Sequence, residues 1–343
     1  MTMFVDVRNM VRWTAETGPQ RIIDGMSRYI EDDFRRWESF DKTPRVGSHT
    51  PFGVIELMPV SDGETYAFKY VNGHPSNPAR GFQTVTAFGA LADVANGYPV
   101  FVAEMTLLTA LRTAATSAMA ARHLARPDAR RLALVGAGSQ AEFQALGMRA
   151  VLGISDVAVW DTDPAAAAKV VGNLTPLGFD VHVAGSGREA VRGADVVTTC
   201  TADKQRAVVL AAEDVAPGVH VNAIGGDCPG KTELDPAILL GADVFVEFTP
   251  QTRVEGEIQA MAPDFPVTEV WEVVAGRAPG RTSASQVTVF DSVGFAVEDL
   301  AGLRYVRDAV RGTPWVDEID LVAEPEDPKD LFGMVAALTP IPG

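Results

Sequence analysis

The chain has 343 residues, and its 29 Lys and Arg against 45 Asp and Glu give a formal net charge of −16. This acidic balance argues against a nucleic-acid partner, because phosphate binding needs clustered Lys and Arg, and against docking on an anionic membrane surface. At roughly 150 residues per domain, the length suggests two domains or one large one, and a hydrophobic share of 47% suffices for a sizeable core.

Cysteine content and the N-terminus predict the cellular location. Two cysteines, Cys200 and Cys228, cannot build a disulfide framework, and free thiols suit a reducing compartment. The start of the chain meets an acid at Asp6 and lacks a basic segment followed by a long apolar run, so we expect no signal peptide. No charge-free apolar run approaches the ~20 residues that a membrane span requires. We therefore expect a soluble, cytoplasmic protein.

The first third of the chain is predicted to form a helix followed by a largely antiparallel sheet. Apolar residues recur at helical spacing over residues 20–40. Hairpin turns are indicated at Asp62-Gly63 and Asn96-Gly97. Around these turns, strands are predicted over residues 53–60, 65–73, 84–92 and 98–104.

The first hairpin predicts a specific pair of charges. If Asp62 and Gly63 alone form the loop, Glu56 lies directly opposite Lys69 on one face of the sheet. A cross-strand pair of this kind can be a surface salt bridge that contributes little. It can also belong to a functional site, and the pattern by itself leaves both interpretations open.

The rest of the chain changes character. Residues 106–125 form an Ala-rich, helix-favouring run that ends before Pro127. From Arg131 onward, strands and helices alternate, which predicts a parallel sheet with helices on its faces. Strands are predicted over residues 132–136, 157–160, 195–200, 220–224 and 244–248, and helices over 139–152 and 292–311. The tail over residues 317–330 holds seven acids and one lysine and is predicted to cover the surface.

A dinucleotide fingerprint follows the first strand of this second part. Gly136, Gly138 and Ala141 form a G-x-G-x-x-A pattern between a predicted strand and a predicted helix. Gly136 permits the tight turn, Gly138 lets the backbone approach a pyrophosphate, and the helix N-terminus attracts the phosphates. Asp161 lies 20 residues beyond Ala141 at a strand end, where a carboxylate binds ribose hydroxyls and repels a 2′-phosphate, so NAD is favoured over NADP. The alternative is a glycine turn without a ligand and an Asp that caps a helix.

Two further strand ends should line the same cofactor, since ligands of open parallel sheets lie at the carboxyl ends of strands. These are Thr201 and residues 222–225. Just beyond them, Asp227 can act as a general acid or base, or can merely cap a turn. The candidates for substrate contact are Arg45, Glu56, Lys69 and Arg112. The five histidines show no metal-ligand spacing, so we predict no metal.

Several strings carry a family resemblance. They are Arg45-Val-Gly-Ser-His, Gly53-Val-Ile-Glu56-Leu-Met-Pro, Ala67-Phe-Lys69-Tyr-Val-Asn-Gly-His-Pro, Thr109-Ala-Leu-Arg112-Thr-Ala-Ala-Thr-Ser, Gly225-Gly-Asp227-Cys-Pro-Gly-Lys231-Thr-Glu-Leu and Val289-Phe-Asp291-Ser292-Val-Gly. With them the chain resembles the ornithine cyclodeaminase/mu-crystallin family over nearly its whole length. The string from Gly225 is the most specific and points to the cyclodeaminases of that family.

The resemblance implies a redox-neutral conversion of L-ornithine to L-proline and ammonia with tightly held NAD. Arg45, Lys69 and Arg112 are implied to hold the α-carboxylate. Glu56 and Asp227 are implied to be catalytic and to face the amino groups, with Asp227 as proton donor and acceptor. The other positions implied to line the cofactor or the pocket are Thr84, Arg112, Ser139, Gln140, Asp161, Thr201, Asn222, Ala223, Ile224, Gly225, Lys231 and Ser292.

The same resemblance implies an α/β architecture of two domains. We expect a Rossmann-type, doubly wound parallel sheet over residues 113–317. An α+β substrate-binding domain with a largely antiparallel sheet would cover residues 1–112 and be joined by residues 318–343. Family members are homodimers joined through the N-terminal sheets. The alternatives are a lysine cyclodeaminase, an NAD(P)-dependent ketimine reductase or amino-acid dehydrogenase, and a non-catalytic dinucleotide-binding protein of the crystallin branch.

Overall fold

A computed structural model of the chain describes residues 1–202 and 206–336. Its strands are β1 (Thr2–Val5), β2 (Asp41–Lys42), β3 (Val46–Thr50), β4 (Gly53–Ser61), β5 (Thr65–Gly73), β6 (Ala87–Asp93), β7 (Pro99–Glu104), β8 (Arg131–Val135), β9 (Asp156–Trp160), β10 (Asp180–Val183), β11 (Val196–Thr199), β12 (Arg206–Leu210), β13 (His220–Ala223), β14 (Thr232–Leu234), β15 (Asp243–Val246), β16 (Thr268–Glu269), β17 (Thr288–Asp291) and β18 (Asp317–Ile319). Its helices are α1 (Val7–Thr17), α2 (Pro19–Arg35), α3 (Thr106–Leu124), α4 (Ala141–Leu152), α5 (Pro164–Leu174), α6 (Gly187–Val191), α7 (Pro236–Leu240), α8 (Thr249–Glu255), α9 (Val270–Val274), α10 (Ala296–Val310) and α11 (Leu331–Ala336).

The first sheet is mixed and largely antiparallel. Its order is β18-β1-β7-β6-β5-β4-β2, with β3 also paired to β4. Among its described strands only β1 and β7 pair in parallel, while the hairpins β4–β5, β5–β6 and β6–β7 are antiparallel. One face packs against α10, which contacts β4, β5, β6 and β7. The antiparallel sheet predicted from the turn signals is therefore confirmed, and the acidic tail joins its edge through β18.

The predicted register of the first hairpin is wrong by two residues. Lys69 lies opposite Met58, and Glu56 lies opposite Val71. The carboxylate of Asp62 accepts the amide N–H groups of Glu64 and Thr65, at 3.1 and 2.7 Å. The loop is therefore longer than two residues, and the pairing between β4 and β5 begins outside it. A shift of two residues keeps every side chain on its own face, so Glu56 and Lys69 still share one face but are not directly opposite.

The second sheet is parallel throughout. Its order is β10-β9-β8-β11-β13-β17-β15-β16, which is the doubly wound arrangement in which the chain reverses direction at β8. The central strands β8, β11, β13 and β17 are short and almost wholly buried, as expected when helices cover both faces. Ligands of such sheets bind at the carboxyl ends of the strands beside the reversal, here β8 and β11.

Helix α3 stands between the two sheets. It contacts α2 and α4, and it is buried along most of its length. Its small side chains allow this close packing: a Cβ added to Gly147 of α4 would lie 2.9 Å from the carbonyl oxygen of Ala114. The predicted helix over residues 20–40 is α2, but it ends at Arg35 and a short 3₁₀ turn, Trp37–Ser39, follows. Strand β1 and helix α1, which Asp6 caps, were not predicted.

Within residues 1–202 and 206–336, no helix is both long and apolar enough to cross a membrane.

Candidate functional site

The glycine-rich loop lies between β8 and α4. Gly136 has φ +108°, and a Cβ there would lie 2.7 Å from the carbonyl oxygen of Cys200, so the position requires glycine. Gly138 is exposed, and nothing lies within 4 Å of where its Cβ would be. Ser139 and Gln140 follow, and the buried Oε1 of Gln140 has no hydrogen-bond partner among the described atoms. This open backbone before a helix N-terminus fits dinucleotide phosphates.

Asp161 lies at the end of β9, beside this loop. Its Oδ2 accepts the amide of Ala137 at 2.7 Å, and its Oδ1 accepts the amide of Asp163 at 2.8 Å. The carboxylate therefore supports the glycine-rich loop from the position that the sequence suggested for a ribose contact.

The next strand ends bring Thr201, Lys231 and Asp227 together. The Lys231 ammonium donates to the carbonyl of Thr201 at 2.9 Å and lies 3.4 Å from Oδ1 of Asp227. Asp227 keeps 54% of its side chain exposed, so a ligand can reach it. The side chain of Asn222 points elsewhere: it is buried and contacts His220 at 3.1 Å and the sulfur of Met148 at 3.9 Å. A cofactor contact at Asn222 would therefore use its backbone.

Thr84 precedes β6, in the connection from β5, and is not part of the strand that the sequence predicted over residues 84–92. The carbonyl of Thr84 accepts the amide of His74 at 2.8 Å. Ser292 follows β17, and its hydroxyl donates to Glu247 at 2.6 Å.

Two of the predicted cations share one buried acid. The ammonium of Lys69 and Nε of Arg112 lie 2.8 and 2.9 Å from Oδ1 of Asp299, and Nη1 of Arg112 donates to Glu298 at 2.9 Å. The side chains of Lys69 and Asp299 are each only 1% exposed. Burial lowers the pKa of Lys69 to about 8, and the charge of Arg112 acts in the same direction. Burial raises the pKa of Glu298 above its ordinary value.

Arg45 is held by a second group of acids. Its guanidinium lies 3.2 Å from Glu56 and 3.0 Å from Glu255, and Nη2 donates to the carbonyls of Val293 and Gly294 at 2.6 and 2.8 Å. Burial raises the pKa of Glu255 to about 7; Arg45 opposes this shift, while Glu56 and Asp227 add to it. The charges of Asp227 and Asp299 also raise the pKa of Arg45, after the larger effects of Glu255 and Glu56.

The structure adds acids that the sequence did not single out. They are Glu233, Glu247, Glu255, Glu298 and Asp299. A sequence signal existed for Asp299, which lies three residues after Ala296 and four before Leu303, on the apolar stripe of α10. A charge at such a position is buried and needs a partner. Glu247 gave a similar signal, because it directly follows the apolar strand β15.

A cleft of about 440 Å³ opens between the two sheets. On one side it is lined by the β3–β4 turn, including Phe52, and on the other by Ala202 and Cys228. Cys228, which follows Asp227 in the chain, forms part of the wall of this cleft. Within the two described ranges, the acids and histidines form no group of three or more that could hold a metal ion.

Comparisons with known proteins agree in placing the chain. The model of the ornithine cyclodeaminase/mu-crystallin family matches residues 7–314. An ornithine cyclodeaminase of Agrobacterium fabrum is 56% identical over 332 residues, which cover 97% of this chain and 94% of the relative.

Solved structures give the same result. An archaeal alanine dehydrogenase dimer with bound NAD has a TM-score of 0.85 at 32% identity and covers 94% of this chain and 99% of its own. A lysine cyclodeaminase that recognises L-lysine, L-ornithine and L-2,4-diaminobutyric acid has a TM-score of 0.88 at 30% identity, over 96% and 98% of the two chains. The chain therefore belongs to the ornithine cyclodeaminase/mu-crystallin family.

Proposed function

We propose that the chain is an ornithine cyclodeaminase, which converts L-ornithine to L-proline and ammonia with NAD. One observation carries this proposal beyond family membership. A continuous series of contacts leads from the glycine-rich loop at Gly136 through Thr201 and Lys231 to Asp227, which acts electrostatically on Arg45. A candidate acid–base group thus lies at the end of a series of contacts that starts at the glycine-rich loop, and its charge acts on one of the buried cations.

The cations suit a substrate carboxylate. We assign Arg45, Lys69 and Arg112 to the α-carboxylate, since planar guanidinium groups and an ammonium are the usual partners of that group. Glu56 and Asp227 are assigned to the two amino groups, with Ser292 at the wall of the pocket. Holding both ends of the substrate keeps its carbon chain bent, which favours intramolecular ring closure. Effective molarities of such reactions can reach about 10⁵ M or more.

The cofactor would lie along the strand ends. We assign its phosphates to Gly136, Gly138, Ser139 and Gln140, and its adenosine ribose to Asp161. The remaining proposed contacts are Thr84, Arg112, Thr201, the segment Asn222, Ala223, Ile224 and Gly225, and also Lys231 and Ser292. When bound, NAD would accept a hydride from the substrate Cα and return it after ring closure.

Asp227 handles the protons in this proposal. It takes a proton from the δ-ammonium, so that the neutral amine forms a bond to the oxidised α-carbon. The ring nitrogen then releases to water the extra proton that it carries after the attack. Asp227 gives its own proton to the α-nitrogen, and ammonia leaves as the bond from that nitrogen to the carbon breaks and the ring carbon–nitrogen double bond forms. Its partial exposure allows contact with the substrate, and Lys231 at 3.4 Å restrains its position.

Incubation with L-ornithine and NAD tests the proposal. We expect proline and ammonia in equal amounts with no net gain of reduced dinucleotide. Reduced dinucleotide in stoichiometric amounts would instead support an amino-acid dehydrogenase or ketimine reductase, and ornithine binding without product would support a non-catalytic protein. L-Lysine in parallel separates a lysine cyclodeaminase, because one methylene changes binding by about 1–3 kcal/mol.

Asp161 is proposed to select NAD. In Asp161→Ser, the ratio of kcat/KM with NADP to that with NAD should rise by about tenfold or more, because a 2′-phosphate no longer meets a carboxylate. Steady-state kinetics with both cofactors measure this ratio. Asp163→Ser is a matched control, since Asp163 lies two residues away and caps α5. An unchanged ratio in Asp161→Ser would remove Asp161 from the ribose site.

Lys69 should impose a pH limit on substrate binding. Because its pKa is lowered to about 8, Lys69 is charged below that pH and neutral above it. We expect kcat/KM for L-ornithine to fall by up to about tenfold per pH unit above pH 8. The Lys69→Arg variant stays charged, so the fall of kcat/KM above pH 8 that Lys69 causes should be absent from it. Titration of the substrate itself affects both proteins alike and therefore does not account for a difference between them. The same fall of kcat/KM above pH 8 in both proteins would contradict the assignment of Lys69 to the substrate carboxylate.

We further propose that the chain forms a homodimer through the outer face of the first sheet. This face carries exposed apolar side chains, including Leu57 at 47% and Phe88 at 46% exposure. Leu57 lies opposite Tyr70, which in turn stacks on Phe88 at 5.2 Å, so the three form a continuous surface. The proposed domain that carries this face comprises residues 1–112 with 318–343, and residues 113–317 form the dinucleotide-binding domain.

Leu57→Asp should weaken this dimer. Two-fold symmetry would bury the new charge in each copy without a partner, so the dissociation constant should rise by at least about tenfold. Light scattering over a range of protein concentrations measures the effect. Val183→Asp is the control, because Val183 is equally apolar and 56% exposed but lies on β10 of the other sheet. If only the Val183 variant dissociates, the proposed interface is wrong.

A further inference from the structure

Three buried carboxylates connect the strand ends in series, and we name Asp291, Glu257 and Glu233 the carboxylate ladder. Asp291 accepts the amides of residues 257 and 258, both at 2.9 Å. Glu257 accepts the amides of residues 233 and 234 at 2.8 and 3.0 Å. Glu233 accepts the amide of Thr201 at 3.0 Å. Each acid thus holds the backbone of the segment that carries the next.

Glycines make room for every member of the ladder. A Cβ at Gly225 would lie 2.1 Å from Oε2 of Glu233. One at Gly226 would lie 2.6 Å from Glu257, and one at Gly256 would lie 2.6 Å from Asp291. Backbone and carboxylate therefore approach one another at three places where any side chain would interfere. The ladder is a close-packed arrangement and not a set of incidental surface acids.

The ladder ends on Thr201, which forms hydrogen bonds with two residues of the segment that contains β14. Glu233 accepts both the amide and the hydroxyl of Thr201, while Lys231 donates to its carbonyl at 2.9 Å. The same Lys231 ammonium lies 3.4 Å from Asp227. The segment that contains β14 thus touches both the end of β11 and the proposed acid–base group.

Burying these acids has a cost. Burial raises the pKa of Glu257 to about 7 and raises the pKa values of Glu233 and Asp291 as well. Oε2 of Glu233 is buried without a hydrogen-bond partner among the described atoms. Well-packed apolar residues would avoid this penalty, so the ladder contributes geometry rather than stability.

We infer that Glu233 is a positioning residue: together with Lys231 it sets Thr201 against the dinucleotide and Asp227 against the substrate. The second half of this inference rests on the proposed function. The dinucleotide is a nicotinamide dinucleotide, the ligand class that the glycine-rich loop fits. Glu233 acts through Thr201 and Lys231 and does not itself contact the substrate.

Two conservative variants separate position from charge. Glu233→Gln removes the charge but keeps the length and an acceptor oxygen. Glu233→Asp keeps the charge but withdraws the carboxylate by one methylene. We expect Glu233→Asp to raise the Kd for NAD, measured by calorimetry on protein stripped of dinucleotide, by about tenfold or more and to lower kcat by about 10²-fold, because misplacement by about 1 Å has effects of that size. Glu233→Gln should stay within about threefold of the unchanged protein in both quantities.

Asp195→Ala is the matched control. Asp195 also accepts two backbone amides, those of residues 130 and 131, but at the amino ends of the strands. The Asp195→Ala variant should have a lower midpoint temperature of thermal unfolding and an unchanged Kd for NAD. The inference is overturned if Glu233→Asp lowers only the thermal midpoint, as the control does, or if Glu233→Gln is the more defective variant. The calorimetric measurement needs no turnover, so a chain that makes no proline would overturn the proposed function and leave this test in force.

Discussion

Asp227→Asn is expected to lower kcat for proline formation by about 10²–10⁴-fold, the range that general acid–base catalysis contributes. The amide keeps the shape of the side chain but cannot take a proton from the δ-ammonium or give one to the departing nitrogen. The Kd for NAD should change by less than about threefold, because Thr201 is held by Glu233 and Lys231 and not by Asp227. Product analysis and calorimetry on the same preparation measure both quantities.

Asp264→Asn provides the control for this experiment. Asp264 is exposed in a turn between α8 and β16, and its replacement should leave both quantities unchanged. A wild-type kcat in Asp227→Asn would remove Asp227 from proton transfer. A loss of NAD binding equal to the loss of turnover would instead assign Asp227 to the cofactor.

Asp299→Asn should cause the largest loss of stability among single substitutions in the site. The side chain is 1% exposed and is the shared partner of Lys69 and Arg112, at 2.8 and 2.9 Å. Removing one partner of a buried ion pair leaves an uncompensated charge and costs about 3–5 kcal/mol. The free energy of unfolding in urea, measured near pH 7 where Lys69 is charged, reports the effect.

The comparison is with Asp308→Asn. Asp308 pairs with Arg307 at 2.9 Å, but its side chain is 37% exposed, so this pair should contribute less than about 1 kcal/mol. Equal losses in the two variants would mean that Lys69 and Arg112 do not depend on Asp299. We also expect KM for L-ornithine to rise in Asp299→Asn, since the two cations proposed to hold its carboxylate lose their shared anchor.

Local patterns predicted the elements that build the site. The strand before Gly136, the helix after it and the acid at the end of β9 all lie where the sequence indicated. The alternation of short apolar strands with helices gave the parallel sheet. These features are encoded by residues close together in the chain, because side-chain periodicity and glycine turns constrain the local backbone. The family strings added residue roles that periodicity alone does not carry.

Even within the well-predicted hairpin, one local detail changed a long-range conclusion. The Asp62 carboxylate binds two amides of the loop, so the register differs by two residues from that of a two-residue turn. Lys69 is therefore not directly opposite Glu56; its ammonium donates instead to Asp299 of α10, which is 230 residues away in the chain. Glu56 pairs with Arg45.

By itself, then, the sequence determined the fold class, the glycine-rich loop and the family with its candidate cations. Only the tertiary structure decided which acid each cation meets, and it revealed Asp299, Glu255 and the carboxylate ladder. The physical reason is that an ion pair depends on the meeting of side chains from distant segments, while a sequence pattern reports only the backbone near each residue. A buried acid on an apolar stripe signals that a partner exists, but the packing of α10 against the first sheet selects it.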